Sequence, residues 1–128
     1  MSTSEVATLF VKMCNEGKNF DVMQQLYADD IVSVEAVQRK TGSFETAGKS
    51  AVIQKSAEWA GANEIHGGKV DGPYLLGDRF AVLFDFAITP KSTGHRINVR
   101  EIAVYTVAGG LITREEFFYG SDAGALAR

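Results

Sequence analysis

The residues of this chain placed by type and strand position to move protons are Glu35, Glu101, Glu116 and His66. Glu35 closes the apolar run IVSVEA, where period-two alternation sets Ile31, Ser33 and Glu35 on one face and Val32, Val34 and Ala36 on the other. A carboxylate ending so apolar a strand has two readings. It points into a pocket as a general base, or it is the anionic half of a buried pair with Lys55 or Arg114. Glu101 shares a face of INVREIAVYTV with Ile97, Val99, Ala103, Tyr105 and Val107; its plainer reading is a cross-strand or rim carboxylate. On the last strand Glu115 and Glu116 read first as a solvated charge run, though alternation groups Glu116 with Ile112, Arg114 and Phe118 and must send one of the two acids inward. His66 is either catalytic or a hydrogen-bonded structural histidine. Carboxyls gathered in an apolar cleft suit acid–base work, because one can donate a proton while another accepts one.

Other chemistry is excluded at this level. The GKS at 48–50 lacks the glycine that a phosphate-binding loop needs five residues earlier, since position 43 is Ser43 and the glycine is Gly42. His66 and His95 have no paired spacing to a carboxylate, so no metal site and no cofactor are expected. Cys14 is the single cysteine and falls on an apolar helical face, which reads as a small buried hydrophobe.

Three helices and a run of strands must position these groups. Val6, Leu9, Phe10, Met13 and Cys14 recur at helical spacing, predicting a helix over 4–16 with a Ser2–Glu5 capping box and a stop at Gly17. Asn19 suits the cap of a second, short helix presenting Phe20, Met23, Leu26 and Tyr27. Residues 37–47 read as a loop or hairpin. A third helix is predicted over about 48–61, with Val52, Ile53, Ser56, Ala57 and Ala60 inward and Trp59 at the boundary. The period then changes to two, giving strands near 63–75, 79–89, 96–107 and 111–119, with turns at GD, PKSTG and AGG. Helices first and a strand meander last indicate one α+β domain, with helices packed on one face of a curved sheet.

The inner row of that sheet is Phe80, Val82, Phe84, Phe86 and Ile88, and the opposite rows remain substantially apolar. A solvated face needs less apolar area, so a homodimer through the outer sheet face is expected. The 128 residues are 45% hydrophobic and 23% charged with a net charge of −3, enough for one core without a disulfide or metal. No cluster of Lys and Arg points to nucleic acid. No apolar run approaches the ~20 residues of a membrane span, and MSTSEV does not start a signal peptide, so a cytoplasmic location is expected.

YADD leading into the first strand, a helix opening on Gly48 and the hairpin VYTVAGGLITREEFF together resemble the SnoaL-like branch of the nuclear transport factor 2-like superfamily. The resemblance covers nearly the whole chain. It implies a cone-shaped roll in which three helices pack on a mostly antiparallel sheet, with a pocket between them. It does not imply one activity, since ketosteroid isomerases, polyketide cyclases, epoxide hydrolases, dehydratases and non-catalytic binders share the fold. Aligned on the ADD turn, Glu35 falls where ketosteroid isomerase has its general base. Aligned on the hairpin glycines, Glu101 falls where that enzyme keeps a proton-donating aspartate. The isomerase's oxyanion tyrosine is replaced by Phe10, which argues against a steroid isomerase. The resemblance and the strand positions together lead to the expectation that Glu35 abstracts a proton next to a carbonyl of a small apolar or aromatic molecule, with Glu101, Tyr105 or His66 stabilising the enolate. Phe10, Lys55, Trp59, Phe84, Phe86, Tyr105, Arg114, Glu116 and Phe118 are expected to line the pocket. The alternative is a pocket that binds such a molecule without turning it over.

Overall fold

The computed structural model describes residues 1–120. Helix α1 (Thr3–Asn15) begins where Ser2 and Glu5 cap each other: the Glu5 amide donates to Ser2 Oγ at 3.1 Å and the Ser2 amide to Glu5 Oε1 at 3.0 Å. It ends at Gly17, whose φ of 78° is the left-handed turn that glycine takes without a Cβ penalty. That turn places Asn19 as the first residue of α2 (Asn19–Leu26) rather than as its cap, which is Lys18 and makes no side-chain cap bond. The chain then runs through β1 (Tyr27–Val34), β2 (Glu45–Ala47), α3 (Lys49–Ala62), β3 (Asn63–Leu76), β4 (Arg79–Pro90), β5 (Ile97–Ala108) and β6 (Leu111–Phe118).

The six strands form one unclosed sheet in the order β2-β1-β6-β5-β4-β3, antiparallel except for the β1–β6 pair. This is the α+β architecture expected, with the 37–47 segment supplying the short edge strand β2. The core lies between the helices and the inner sheet face. Val6, Ala7, Phe10, Met13 and Cys14 of α1 meet Val82, Ala103, Tyr105 and Phe80 there. The Phe10 ring stands 4.6 Å from Tyr105, 5.7 Å from Phe80 and 6.5 Å from Phe84. Truncating so central a ring to alanine costs about 3–5 kcal/mol.

Strands β4 and β5 keep strict alternation, so Phe84 stands opposite Glu101 and Phe80 opposite Tyr105. Strand β6 does not. Its register with β5 slips between Thr106, opposite Arg114, and Val107, opposite Ile112, which leaves Thr113 as an extra residue. A bulge of one residue reverses the faces beyond it. Ile112 points inward before the bulge, and Glu115 and Phe117 do so after it. Arg114 and Phe118 are therefore exposed and Glu116 is only half-buried, which corrects their expected inward placement. Helix α3 buries Val52 as predicted, and Lys55 with it, whereas Ala57, also predicted inward, is exposed.

On β3, glycine is required at position 68. A Cβ there would collide with the Phe86 Cβ and lie 2.5 Å from the Asp85 carbonyl oxygen, so only a bare backbone approaches β4 this closely. Among the described residues no helix is long and apolar enough to cross a membrane.

Candidate functional site

A cavity of about 450 Å³ lies between the three helices and the inner faces of β3 to β6. Phe10, Trp59, Phe84, Phe86 and Phe117 form much of its wall. Trp59 of α3 meets Phe86 edge-on, with centroids 5.8 Å apart. Asn15 of α1 ties one side to β3, donating to the Val70 carbonyl at 3.0 Å and accepting from the Val70 amide at 2.9 Å. Phe20, Ile65 and Lys69, all exposed, also border the cavity and mark where it reaches the surface.

Polar groups enter from strands that the sequence separates widely. Glu101 projects from β5 at 3% exposure, and Glu115 from β6 at 1%. Tyr27, at the junction of α2 and β1, donates its hydroxyl to Glu115 Oε2 at 3.0 Å. Burial, then the adjacent Glu115 charge, pushes the Tyr27 phenol well above its ordinary range, so it stays a protonated donor. Tyr105 stands opposite Glu115 in the ladder and stacks on Phe80 at 5.0 Å. Cys14 also borders the cavity, and burial pushes its thiol up to about 12, which makes it a poor nucleophile at neutral pH. The arrangement is an apolar, aromatic chamber with two carboxyls and two phenols on its inner wall. It can hold a flat apolar molecule and exchange protons with it.

A second polar cluster lies outside the cavity. Lys55 Nζ of α3 donates to Glu35 Oε1 at 2.7 Å and to Ser33 Oγ at 2.5 Å. Tyr119 Oη donates to Glu35 Oε2 at 3.0 Å. The two charged side chains are essentially sealed, at 2% and 0% exposure. Lys55 Nζ also sits 5.3 Å from the centroid of Phe117, the ring that joins this cluster to the cavity wall.

Residues 1–119 match the model of the SnoaL-like domain. The chain belongs to the SnoaL-like family. A Mesorhizobium loti protein provisionally named a SnoaL-like polyketide cyclase, with carbohydrate phosphatase added to that name, is 42% identical. It superposes with a TM-score of 0.88, over 93% of this chain and 100% of that one. A cystatin-like protein of unknown function from Xanthomonas campestris is 14% identical, with a TM-score of 0.81 over 99% and 98%. A protein from Bacillus subtilis, provisionally named an isomerase, is 16% identical, with a TM-score of 0.75 over 99% and 95%. These last two share the fold. No curated protein matches the sequence.

Within this SnoaL-like fold, Glu101, Phe10, Trp59, Phe84, Phe86 and Tyr105 border the cavity. Other sequence candidates do not. Glu35 is buried, as the strand pattern required, but Lys55 holds it in the second cluster, and neither borders the cavity. His66 is exposed: the irregularity between Ile65 and Gly67 turns Ile65 to the cavity and leaves His66 Nε2 2.6 Å from Thr89 Oγ1. Arg114, Glu116 and Phe118 lie on the other face of β6, with Arg114 3.5 Å from Glu116. Sequence reasoning misses Glu115, Phe117 and Tyr27 as pocket residues. The first two require the β6 bulge. Tyr27 is legible only as part of the second helix's apolar face, because its polar partner lies 88 residues away.

Proposed function

We propose that this SnoaL-like protein is an acid–base enzyme of the isomerase, cyclase or dehydratase kind, acting on a small apolar or aromatic carbonyl compound. The observation that carries this reading is Glu101, 3% exposed on the wall of an open cavity of about 450 Å³ and sharing that wall with Glu115. An ionised carboxylate takes a proton from the carbon beside a carbonyl, and a protonated one donates to the developing enolate oxygen. Two carboxyls on one apolar wall supply both roles. The volume is roughly three times the ~150 Å³ that houses one benzene, which suits a molecule of a few rings. The name of the 42% identical M. loti protein supports a polyketide-like substrate. A phosphate ester fits poorly, because its charge would lie against Glu101 and Glu115.

The test is hydrogen–deuterium exchange at the α-carbon of neutral aromatic and polyketide-like ketones, after a thermal-shift screen has found which of them bind. Wild type is expected to catalyse exchange, and Glu101→Gln or Glu115→Gln to slow it by about 100-fold or more. Compounds that bind without exchanging would make the protein a binding module. If none binds, the small-molecule reading falls.

We further propose that the outer sheet face seats a second copy of the chain. Ile102 and Phe118, directly opposite one another on β5 and β6, are 47% and 48% exposed there. Sedimentation equilibrium should then read twice the 13.9 kDa of one chain.

A further inference from the structure

The cavity does not stop at its acid-bearing wall but crosses the sheet as far as the edge strand β3. Resting on the acid–base reading of this cavity, we propose that the substrate is an elongated ketone. Its carbonyl meets the carboxyl wall, and an apolar chain or ring extension leaves between α2 and β3, past Phe20 and Ile65. The strand order puts β5 two strands from β3 and β6 three strands from it. At the ~4.8 Å spacing of paired strands, Glu101 is then roughly 10 Å from that edge and Glu115 roughly 14 Å. A molecule held at either carboxyl and longer than this reaches the opening before it ends.

The edge is built open at that point. From Ile65 to Val70, roughly 15 Å of strand, β3 sends no intervening side chain into the cavity. His66 turns to Thr89 Oγ1 at 2.6 Å, while Lys69 stands opposite Asp85 in the outer row and pairs with Asp71 at 3.8 Å. The approach of Phe86 keeps Gly68 bare, and a Cβ added at Gly67 would meet nothing within 4 Å. The lip is therefore backbone facing open space. Asn15 closes it at Val70, where its amide bonds both backbone groups. The flanks of the lip are apolar: Phe20 of α2 is 42% exposed and Ile65 is 52% exposed, and both border the cavity. Water-facing apolar surface on the two sides of one opening is stabilised when an apolar group covers it. An extension continuous with a molecule already held in the cavity covers both flanks at once.

The experiment measures Kd on the full chain, by calorimetry, for neutral aryl ketones carrying n-alkyl chains of increasing length, together with their α-proton exchange. Affinity should rise about two- to fourfold with each methylene and keep rising once the molecule exceeds about 10 Å. Phe20→Ser and Ile65→Ser should each cut the ratio of long-chain to short-chain affinity by about fivefold or more. In the wild type, nuclear Overhauser contacts should join the terminal methyl of the chain to the Phe20 ring, a readout that stands even where a variant does not fold. Three results overturn the proposal: affinity that levels off before the chain reaches the lip, terminal-methyl contacts with the buried Phe10 instead, or tighter binding of a carboxylate-ended chain than of a methyl-ended one. Exchange of the short ketones would then leave the acid–base reading intact. Long ketones that bind with their chains at Phe20 but exchange no α-proton overturn the acid–base reading and leave the role of the opening standing. If no member of the series binds, both fall.

Discussion

Glu35 and Glu101 are equally buried, at 3% exposure each, yet they sit in opposite kinds of surroundings. Glu35 is met by an ammonium at 2.7 Å and a phenol at 3.0 Å, in a cluster that does not border the cavity. Glu101 borders a cavity of about 450 Å³ walled by aromatic rings. Burial alone therefore does not separate a structural acid from a functional one. What lies against the carboxyl does. A buried ion pair spends its Coulombic attraction on offsetting desolvation, whereas a carboxyl on a cavity wall stands where an entering molecule would meet it.

The largest expected effect tests that contrast directly. Lys55→Met keeps the length of the side chain but leaves the Glu35 carboxylate buried without its cation. Urea unfolding should show a loss of about 3–5 kcal/mol at unchanged m-value. Adding Glu35→Gln to Lys55→Met should recover much of it, since the isolated charge is then gone. Glu101→Gln, by comparison, should change stability by about 1 kcal/mol or less while slowing exchange by about 100-fold or more. If Lys55→Met proves as mild as Glu101→Gln, the two acids do not differ in what holds them.

Much of this contrast is readable from residue order, and the unread part has a physical cause. Strict alternation on β4 and β5 identifies the inner rows, including Glu101, because those strands pair without interruption over ten successive residues. The first strand's period likewise places Ile31, Ser33 and Glu35 on one face, all of them buried. Alternation fails on β6 because one extra residue, Thr113, reverses every side chain beyond it, exchanging Glu116 and Phe118 for Glu115 and Phe117. Helix α3 misleads for another reason. Its predicted inward face includes Ala57, which is exposed, while Lys55, expected at the pocket or as the partner of Glu35, turns to that buried acid and to a serine hydroxyl. Tyr27 marks a third limit. Residues 88 positions apart become hydrogen-bonded only through the parallel β1–β6 pairing, which no local pattern announces.

A smaller effect should come from the acids of the cavity wall that are held neutral. Burial raises the Cys14 thiol from an ordinary value of 9.0 to about 12. Its folded-state value lies above its unfolded one, so the stabilisation is complete below pH 9 and is lost as the pH climbs toward 12. Over that window the unfolded chain releases a proton that the folded chain keeps, at about 1.4 kcal/mol per pH unit. At pH 10 the loss from this group should therefore be about 1.4 kcal/mol. Cys14→Ala should flatten the slope between pH 9 and 10 whatever it does to stability at neutral pH. Tyr27, also raised, adds its own decline only above its unfolded value near pH 10. A slope unchanged by Cys14→Ala would mean that the thiol is not sealed against the cavity.

The smallest effect is the most pointed test of where the cavity ends. Arg114 and Glu116 pair at 3.5 Å with 45% and 36% of their side chains exposed, so water screens the attraction and Arg114→Ala should cost under about 0.5 kcal/mol. Exchange activity should be unchanged, because both side chains lie on the face of β6 turned away from the cavity. The measurement weighs more than its size suggests. Without the bulge, alternation from Ile112 would carry Arg114 and Glu116 inward and send Glu115 out. A tenfold loss of exchange in Arg114→Ala, with the fold intact, would mean that β6 pairs in that other register. Glu115 would then leave the cavity, and with it one of the two carboxyls on which the acid–base reading stands.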